Sequence, residues 1–146
     1  MDHSGASVAI TSGGVLATRI ALAASRATSL HTLIVMDERF SPPDGMRQQL
    51  LHWHSVIDDT PPLADLEDRI AAQQPDDVCC FIYTSGTGGR PKGVMLTHRS
   101  IQANITAAIE LLREGDVIEN QRFLSLLPLS HSYEHTAGMH LPFQIL

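Results

Sequence analysis

The residues best suited to chemistry lie between positions 84 and 93, where hydroxyl groups, glycines and two cations follow one another in ten residues: Thr-Ser-Gly-Thr-Gly-Gly-Arg-Pro-Lys-Gly. Lys92 is the only lysine of a chain that otherwise uses arginine for positive charge. Hydroxyls and open backbone N–H groups donate hydrogen bonds to phosphate oxygens, and cations offset the phosphate charge. The composition therefore predicts a polyphosphate-binding loop. A flexible surface turn is the structural alternative.

This loop differs from a Walker A motif, in which Gly-Lys-Ser/Thr runs directly into a helix whose N-terminus faces the phosphate. Here Pro91 precedes the lysine, and the residues after Gly93 are apolar and strand-like. We expect Arg90 to be a solvated loop residue. The predicted phosphate contacts are Thr84, Ser85, Gly86, Thr87, Gly88, Gly89 and Lys92.

The elements that must position this loop alternate between strands and helices, which predicts an α/β fold with a mixed, largely parallel sheet and flanking helices. Strands are expected at 8–11, 33–36, 78–83, 94–96 and 122–127, and helices at 15–27, 46–57, 63–73 and 98–113. The run 78–83 has no polar alternation, so we expect it to be buried on both faces. Leu63, Leu66 and Ile70 share one face of their helix, which predicts a packing face. The helix at 98–113 has an N-cap at Thr97, a C-cap glycine at Gly115 and an apolar stripe formed by Ile101, Ile105, Ala108, Ile109 and Leu112.

Composition limits the classes of molecule that the protein is expected to bind. The 146 residues carry a formal charge of −6 and no basic stripe, which argues against nucleic acid. Cys79 and Cys80 are adjacent in an apolar run, so we expect them to be reduced, buried and structural, as in a cytoplasmic protein. The apolar stretch 15–36 is interrupted by charged residues and by His31, which argues against a membrane span.

The string YTSGTGGRPKGVMLTHRS, at 83–100, strongly resembles the phosphate-loop signature of the adenylate-forming (AMP-binding) superfamily, which includes acyl-CoA synthetases. Gly88 departs from the signature, because the family more often carries threonine there. A second string, FLSLLPLSHSYEHTAG at 123–138, resembles the next motif of the family in the form closest to long-chain fatty acyl-CoA synthetases. By that resemblance His131, Tyr133 and Glu134 bind the acyl substrate, with a capped turn into a helix as the structural alternative.

The resemblance implies a fatty acid-CoA ligase reaction. A fatty acid carboxylate attacks the α-phosphate of ATP to give an acyl-adenylate and pyrophosphate, and the thiol of coenzyme A then displaces AMP. Lys92 and Thr84 would act on the reacting phosphates, and Mg²⁺ would offset their charge. The family's adenine-binding, ribose-binding and C-terminal motifs are absent. We therefore interpret residues 1–146 as one partial AMP-binding domain, an internal fragment that requires the remainder of its own polypeptide and is inactive alone. The expected location is the cytoplasm. Peripheral contact with the inner face of a membrane is compatible with this expectation.

Two alternatives remain open on sequence alone. His131, Glu134 and His135 fit the His-x-x-Glu-His pattern of inverted zinc peptidases, which needs a helix from His131 and a third ligand. The other alternative is a nucleotide-binding remnant that binds ATP without turnover.

Overall fold

The computed structural model describes residues 2–86, 89–115 and 122–145 and divides the chain into two compact units, Met1–Ala64 and Asp65–Leu146. A 3₁₀ helix at Asp2–Ser4 begins the first unit. The remaining elements in chain order are β1 (Val8–Thr11), α1 (Gly14–Ala24), β2 (Thr32–Val35), β3 (Gln49–His52), α2 (Trp53–Asp59), α3 (Leu66–Ala72), β4 (Val78–Thr84), β5 (Lys92–Thr97), α4 (His98–Glu114), a π-helical segment (Glu134–His140) and α5 (Leu141–Ile145). The predicted α/β class is confirmed.

The first unit contains a three-stranded parallel sheet in the order β1-β2-β3, with α1 packed on it. Ala17, Ala21 and Ala24 are buried along one face of α1 because their small side chains let the helix approach the strands closely. Leu33 and Val35 of β2, the central strand, are fully buried beneath that face. The predictions for β1, α1 and β2 are confirmed, although α1 ends three residues earlier than expected.

The helix predicted at 46–57 is wrong in its first half. Residues Gln49–His52 form β3, and only Trp53–Asp59 are helical. The strand forms because Gln49 to His52 pair in parallel register with Thr32 to Val35. Hydrogen bonding to a distant strand thus overrides a local pattern that also suits a helix.

Asp2 connects the start of the chain to the turn before β2. Its Oδ1 accepts hydrogen bonds from the backbone N–H groups of Thr28, at 2.7 Å, and Ser29, at 3.1 Å. These donors, with the backbone N–H of Ser29 contributing most, hold the pKa of the Asp2 carboxyl below its usual range.

In the second unit β4 and β5 form a two-stranded antiparallel ribbon. The expectation that the strand at 78–83 is buried on both faces is wrong: Ile82 is its one buried residue, while Phe81 and Tyr83 are exposed. Both cysteines are free, but Cys79 is exposed and Cys80 half-buried, which corrects the expectation that both are buried.

Two helices of this unit differ in how well local signals predict them. α3 begins at Leu66, three residues later than expected, and the predicted packing face is wrong because Leu63, Leu66 and Ile70 are all exposed. α4 has the bounds that its caps predict. The Thr97 hydroxyl accepts from the backbone N–H of Ser100 at 3.1 Å, and the Ser100 hydroxyl accepts from the backbone N–H of Thr97 at 3.0 Å.

The predicted apolar stripe of α4 is confirmed. Ile101 and Ile105 are buried against Leu141 of α5, and the rest of the stripe packs around them with Cys80 and Leu96. Gly115 is the C-cap as expected, but its φ of −80° is helical and places no special demand on glycine.

The segment before the π-helix departs from prediction. The strand expected at 122–127 is absent, and these residues have no regular secondary structure. Leu124 and Leu126 are exposed, since no strand in the described part of the second unit pairs with them. No helix among the described residues is long and apolar enough to cross a membrane.

Candidate functional site

The predicted phosphate loop is the connection of the β4–β5 hairpin. β4 ends at Thr84 and β5 begins at Lys92, and these two residues lie opposite each other in the antiparallel register. A strand therefore follows the lysine, as predicted, and the ends of the loop are held together by ladder hydrogen bonding. The structure thus brings the predicted hydroxyl and the predicted cation to the same end of one ribbon. Thr87 and Gly88 lie outside the described residues, and their predicted contacts stay predictions.

Gly86 allows the loop to fold back on itself. Its φ is +60°, and a Cβ atom at this position would lie 2.6 Å from the backbone oxygen of Arg90 and 3.5 Å from Cγ of Lys92. Gly89 also has a positive φ, +74°, but a Cβ there would meet nothing within 4 Å. Both positions need glycine for backbone conformation, whereas Gly86 also needs it for space. The aliphatic part of Lys92 therefore lies close to the first glycine of the loop.

A second close approach lies one residue further on. The ring of Tyr83 crosses Gly93, where a Cβ atom would come within 3.1 Å of Tyr83 Cζ. Tyr83 and Gly93 are cross-strand partners, so the ring covers the backbone next to Lys92. Sequence reasoning did not predict this contact, although an aromatic residue opposite a glycine in neighbouring strands is the signal that would have found it.

The chemical character of the loop is cationic and hydroxylic. Thr84, Ser85, Arg90 and Lys92 are all exposed, and residues 84–93 contain no carboxylate. Exposed ammonium and hydroxyl groups can donate hydrogen bonds to an anion. The arrangement is suited to binding phosphates.

The predicted acyl-binding residues lie at the start of the helical segment, and they differ in exposure. His131 and Tyr133 are exposed. The ring Nδ1 of His131 accepts from the backbone N–H of Tyr133 at 3.2 Å, and the His131 carbonyl accepts from the backbone N–H of His135 at 2.9 Å. His131 thus satisfies free N–H groups at a helix start, which is the structural alternative for this residue.

Glu134 is buried, with 3 % of its surface exposed. Its carboxylate packs against Gly138, where a Cβ atom would lie 2.6 Å from Glu134 Cδ and would overlap with Oε1. Oε1 has no hydrogen-bond partner among the described residues. The buried carboxylate therefore leaves no space for a side chain at position 138. Its Oε1 atom can accept a hydrogen bond from a donor outside the described residues.

The π-helical segment assembles a group that sequence reasoning missed. Nε2 of His135 lies 3.4 Å from Nε2 of His140 and 3.6 Å from Sγ of Cys80. The two rings meet edge to face, with centroids 4.9 Å apart. The spacing of five residues carries no signal for an α-helix, which is why the pair was not predicted.

The zinc-peptidase alternative gains no support from this geometry. His135 faces His140 and Cys80, and His131 caps the helix start. In ranges 2–86, 89–115 and 122–145, no group of three or more His, Cys, Asp or Glu side chains is arranged to hold a metal ion.

Comparison with known proteins decides the family. The model described as "AMP-binding enzyme" matches residues 1–145. The chain belongs to this family. Within the AMP-binding enzymes, rice (Oryza sativa subsp. japonica) 4-coumarate–CoA ligase 1 is 39 % identical over 111 residues, which cover 70 % of the chain and 18 % of the relative. Long-chain-fatty-acid–CoA ligase ACSBG2 of Xenopus laevis is 44 % identical over 71 residues, covering 48 % of the chain and 10 % of the relative.

A third relative, long-chain-fatty-acid–CoA ligase 1 of Schizosaccharomyces pombe, is 42 % identical over 60 residues, covering 41 % of the chain and 9 % of its own length. The chain spans less than one fifth of each of these three relatives. The chain is thus similar to a 4-coumarate–CoA ligase and to long-chain-fatty-acid–CoA ligases over a limited part of their sequences.

Proposed function

We propose that the loop between β4 and β5 binds the phosphates of ATP in an acyl-CoA ligase whose acid substrate is a fatty acid. The observation that carries the proposal is the hairpin closure, in which Thr84 and Lys92 are cross-strand partners and Gly86 lets the loop fold back towards the lysine stem. This geometry holds a hydroxyl and an ammonium group at one end of a ribbon, as a bound polyphosphate requires.

In this proposal the residues of the loop stabilise the negative charge of the reacting phosphates. When a carboxylate approaches ATP, two anions meet, and negative charge leaves with pyrophosphate. Lys92 would offset that charge, while the hydroxyls of Thr84 and Ser85 and the free N–H groups of the loop would donate to phosphate oxygens. Preorganised donors are effective because they need no rearrangement as the charge moves.

Within residues 84–93 the side-chain oxygens that could bind Mg²⁺ are hydroxyls, and the phosphates of the substrate would supply further ligands. Proteins hold Mg²⁺ through one or two carboxylates together with substrate phosphates, and residues 84–93 contain no carboxylate. We assign no step of the reaction to Mg²⁺ on this chain. Coenzyme A is proposed as the acceptor from the names of the relatives.

Calorimetric titration of the 146-residue chain with ATP tests the proposal. Lys92→Ala removes a charge-assisted hydrogen bond, worth about 1.5–3 kcal/mol, so we expect ATP binding to weaken about 10- to 150-fold. Arg90→Ala is the matched control, because it removes an exposed cation from the same loop, and we expect less than a threefold change. Equal losses in the two variants, or none in either, would contradict the assignment of Lys92. ATP binding without pyrophosphate exchange is the expected behaviour of the chain alone, and exchange would disprove the expectation that it is inactive.

A second candidate for the acid substrate is an aromatic acid. The 4-coumarate ligase match covers 70 % of the chain, more than the 48 % covered by the Xenopus fatty-acid ligase, and it favours an aromatic acid. The FLSLLPLSHSYEHTAG motif favours a fatty acid. Binding of two stable adenylate mimics, palmitoyl- and 4-coumaroyl-sulfamoyl adenosine, separates them. Tighter binding of the palmitoyl compound is expected, and the reverse order would replace the fatty acid by an aromatic acid.

A further inference from the structure

The π-helical segment Glu134–His140 produces a contact that an α-helix cannot make. In an α-helix, residues five apart are separated by about 140° around the axis, and their side chains diverge. The i→i+5 hydrogen bonding of a π-helix adds about one residue to the turn and brings such residues onto one face. That is how His135 and His140 meet, with Nε2 atoms 3.4 Å apart and rings edge to face.

The contact can hold one proton between the two rings and not two. In a neutral imidazole one ring nitrogen donates and the other accepts, so one Nε2–H can point at the other Nε2. When both rings are protonated, both Nε2 atoms are donors, and two positive charges face each other. The contact is then lost, because nothing between the rings can accept.

Among the described residues neither histidine has an ion-pair partner that would stabilise a second charge. Cys80 Sγ, 3.6 Å from His135 Nε2, is the group that β4 presents to the pair. A cavity of about 920 Å³ beside His140 is lined from β4 and α4 by Cys79, His98, Arg99 and Glu110. The Glu134 carboxylate, on the segment itself, packs against Gly138.

We propose that His135 and His140 form a proton-operated switch, in which the neutral pair holds the π turn and protonation of both rings lets residues 134–140 return to α-helical geometry. A π turn contains about one residue more than an α turn. Its conversion to an α turn therefore rotates the residues that precede it by about 100° relative to Leu141, which packs against α4. His131, Tyr133 and Glu134 lie before or at the start of that turn.

Acidification thus changes which way the predicted acyl-binding side chains face. This consequence for substrate rests on the proposed function, whereas the switch itself does not.

The direction of the pH dependence follows from the same contacts. Burial, and then the charge of His135, lower the pKa of His140 below its usual value of about 6.5. The unfolded or opened segment therefore binds the proton more readily than the closed one. The π turn is fully formed above about pH 6.5 and is lost as the pH falls through the lowered pKa.

NMR of the 146-residue chain between pH 7.5 and 5.0 tests the switch without reference to nucleotide or activity. In the parent chain we expect the backbone amide shifts of residues 132–145 to change together, with the midpoint at which His140 titrates. In His140→Gln, which keeps a neutral polar side chain, this response should shrink at least fivefold. His135→Gln should do the same, which covers the case that one variant does not fold.

His98→Gln is the control, since His98 lines the same cavity but lies outside the pair. It should leave the midpoint unchanged. Backbone shifts that stay constant while both rings titrate, or a transition that survives in both Gln variants, would overturn the proposal. Loss of ATP binding with the switch intact would instead count against the proposed function alone.

Discussion

Replacing Gly86 with alanine separates two reasons for a glycine in the phosphate loop. Both Gly86 and Gly89 have positive φ angles, +60° and +74°, so alanine costs about 1–2 kcal/mol at either position. Only Gly86 has a neighbour in the space of the new methyl group, because its Cβ atom would lie 2.6 Å from the backbone oxygen of Arg90. Gly89→Ala is therefore a matched control that shares the backbone strain without the overlap.

The extra cost at Gly86 can be estimated from that overlap. An ordinary carbon–oxygen contact is near 3.4 Å or longer, and the obstructing atom is backbone, so the loop must move. Forcing a methyl group into filled space costs about 1–3 kcal/mol. We expect Gly89→Ala to weaken ATP binding about 5- to 30-fold and Gly86→Ala to weaken it a further 5- to 150-fold.

Calorimetric titration with ATP gives both ratios, and thermal unfolding confirms that each variant remains folded. The loop is at the end of an exposed ribbon, so we expect the unfolding temperatures of the two variants to agree closely. Equal ATP affinities for the two variants would refute the close approach of Gly86 to Arg90. Parent-like affinity in both would refute the requirement for a folded-back loop.

Three further predictions concern stability. Thr97→Ala removes the cap of α4 and should lower the free energy of unfolding by about 1 kcal/mol in urea titration, whereas Thr106→Ala, exposed in the middle of the same helix, should not lower it. Ile105→Ala should cost about 2–5 kcal/mol because the residue is buried, and Leu111→Ala, on the exposed face, should change stability by less than about 0.5 kcal/mol. Equal effects within either pair would contradict the packing described. Backbone donors lower the pKa of Asp2, so the stability that its carboxylate contributes is present above the usual carboxyl range and is lost as the pH falls through the lowered pKa. Asp2→Asn should flatten that part of the stability–pH curve. An unchanged curve would contradict the role of the Asp2 carboxylate.

The sequence predicts best where short-range interactions decide the structure. α4 has its cap, its apolar stripe and its C-cap glycine within one continuous segment, and the structure confirms all three. The strand–loop–strand order around Lys92 is also local, since an apolar run, a glycine loop and a second apolar run follow directly. The loop could therefore be located before its geometry was known.

Prediction fails where the partner is distant or the geometry is rare. Gln49–His52 forms a strand because it pairs with β2, and the sequence of the segment itself does not predict that pairing. The burial of Glu134 and the pairing of His135 with His140 depend on a π turn, which α-helical spacing rules do not describe. For the same reason the candidate site was predicted as a list of residues, whereas the cover of Gly93 by Tyr83 emerged only from the structure.

The ring that crosses Gly93 has a practical use in spectroscopy. The chain contains two tyrosines, and each lies in one of the two candidate motifs: Tyr83 beside the loop lysine, and Tyr133 at the start of the helical segment. Uniform labelling with 3-fluorotyrosine would thus give two ¹⁹F resonances, one for each motif, and Tyr133→Phe would assign them. A ligand at the loop and a rearrangement of the helical segment could then be observed separately in a single sample.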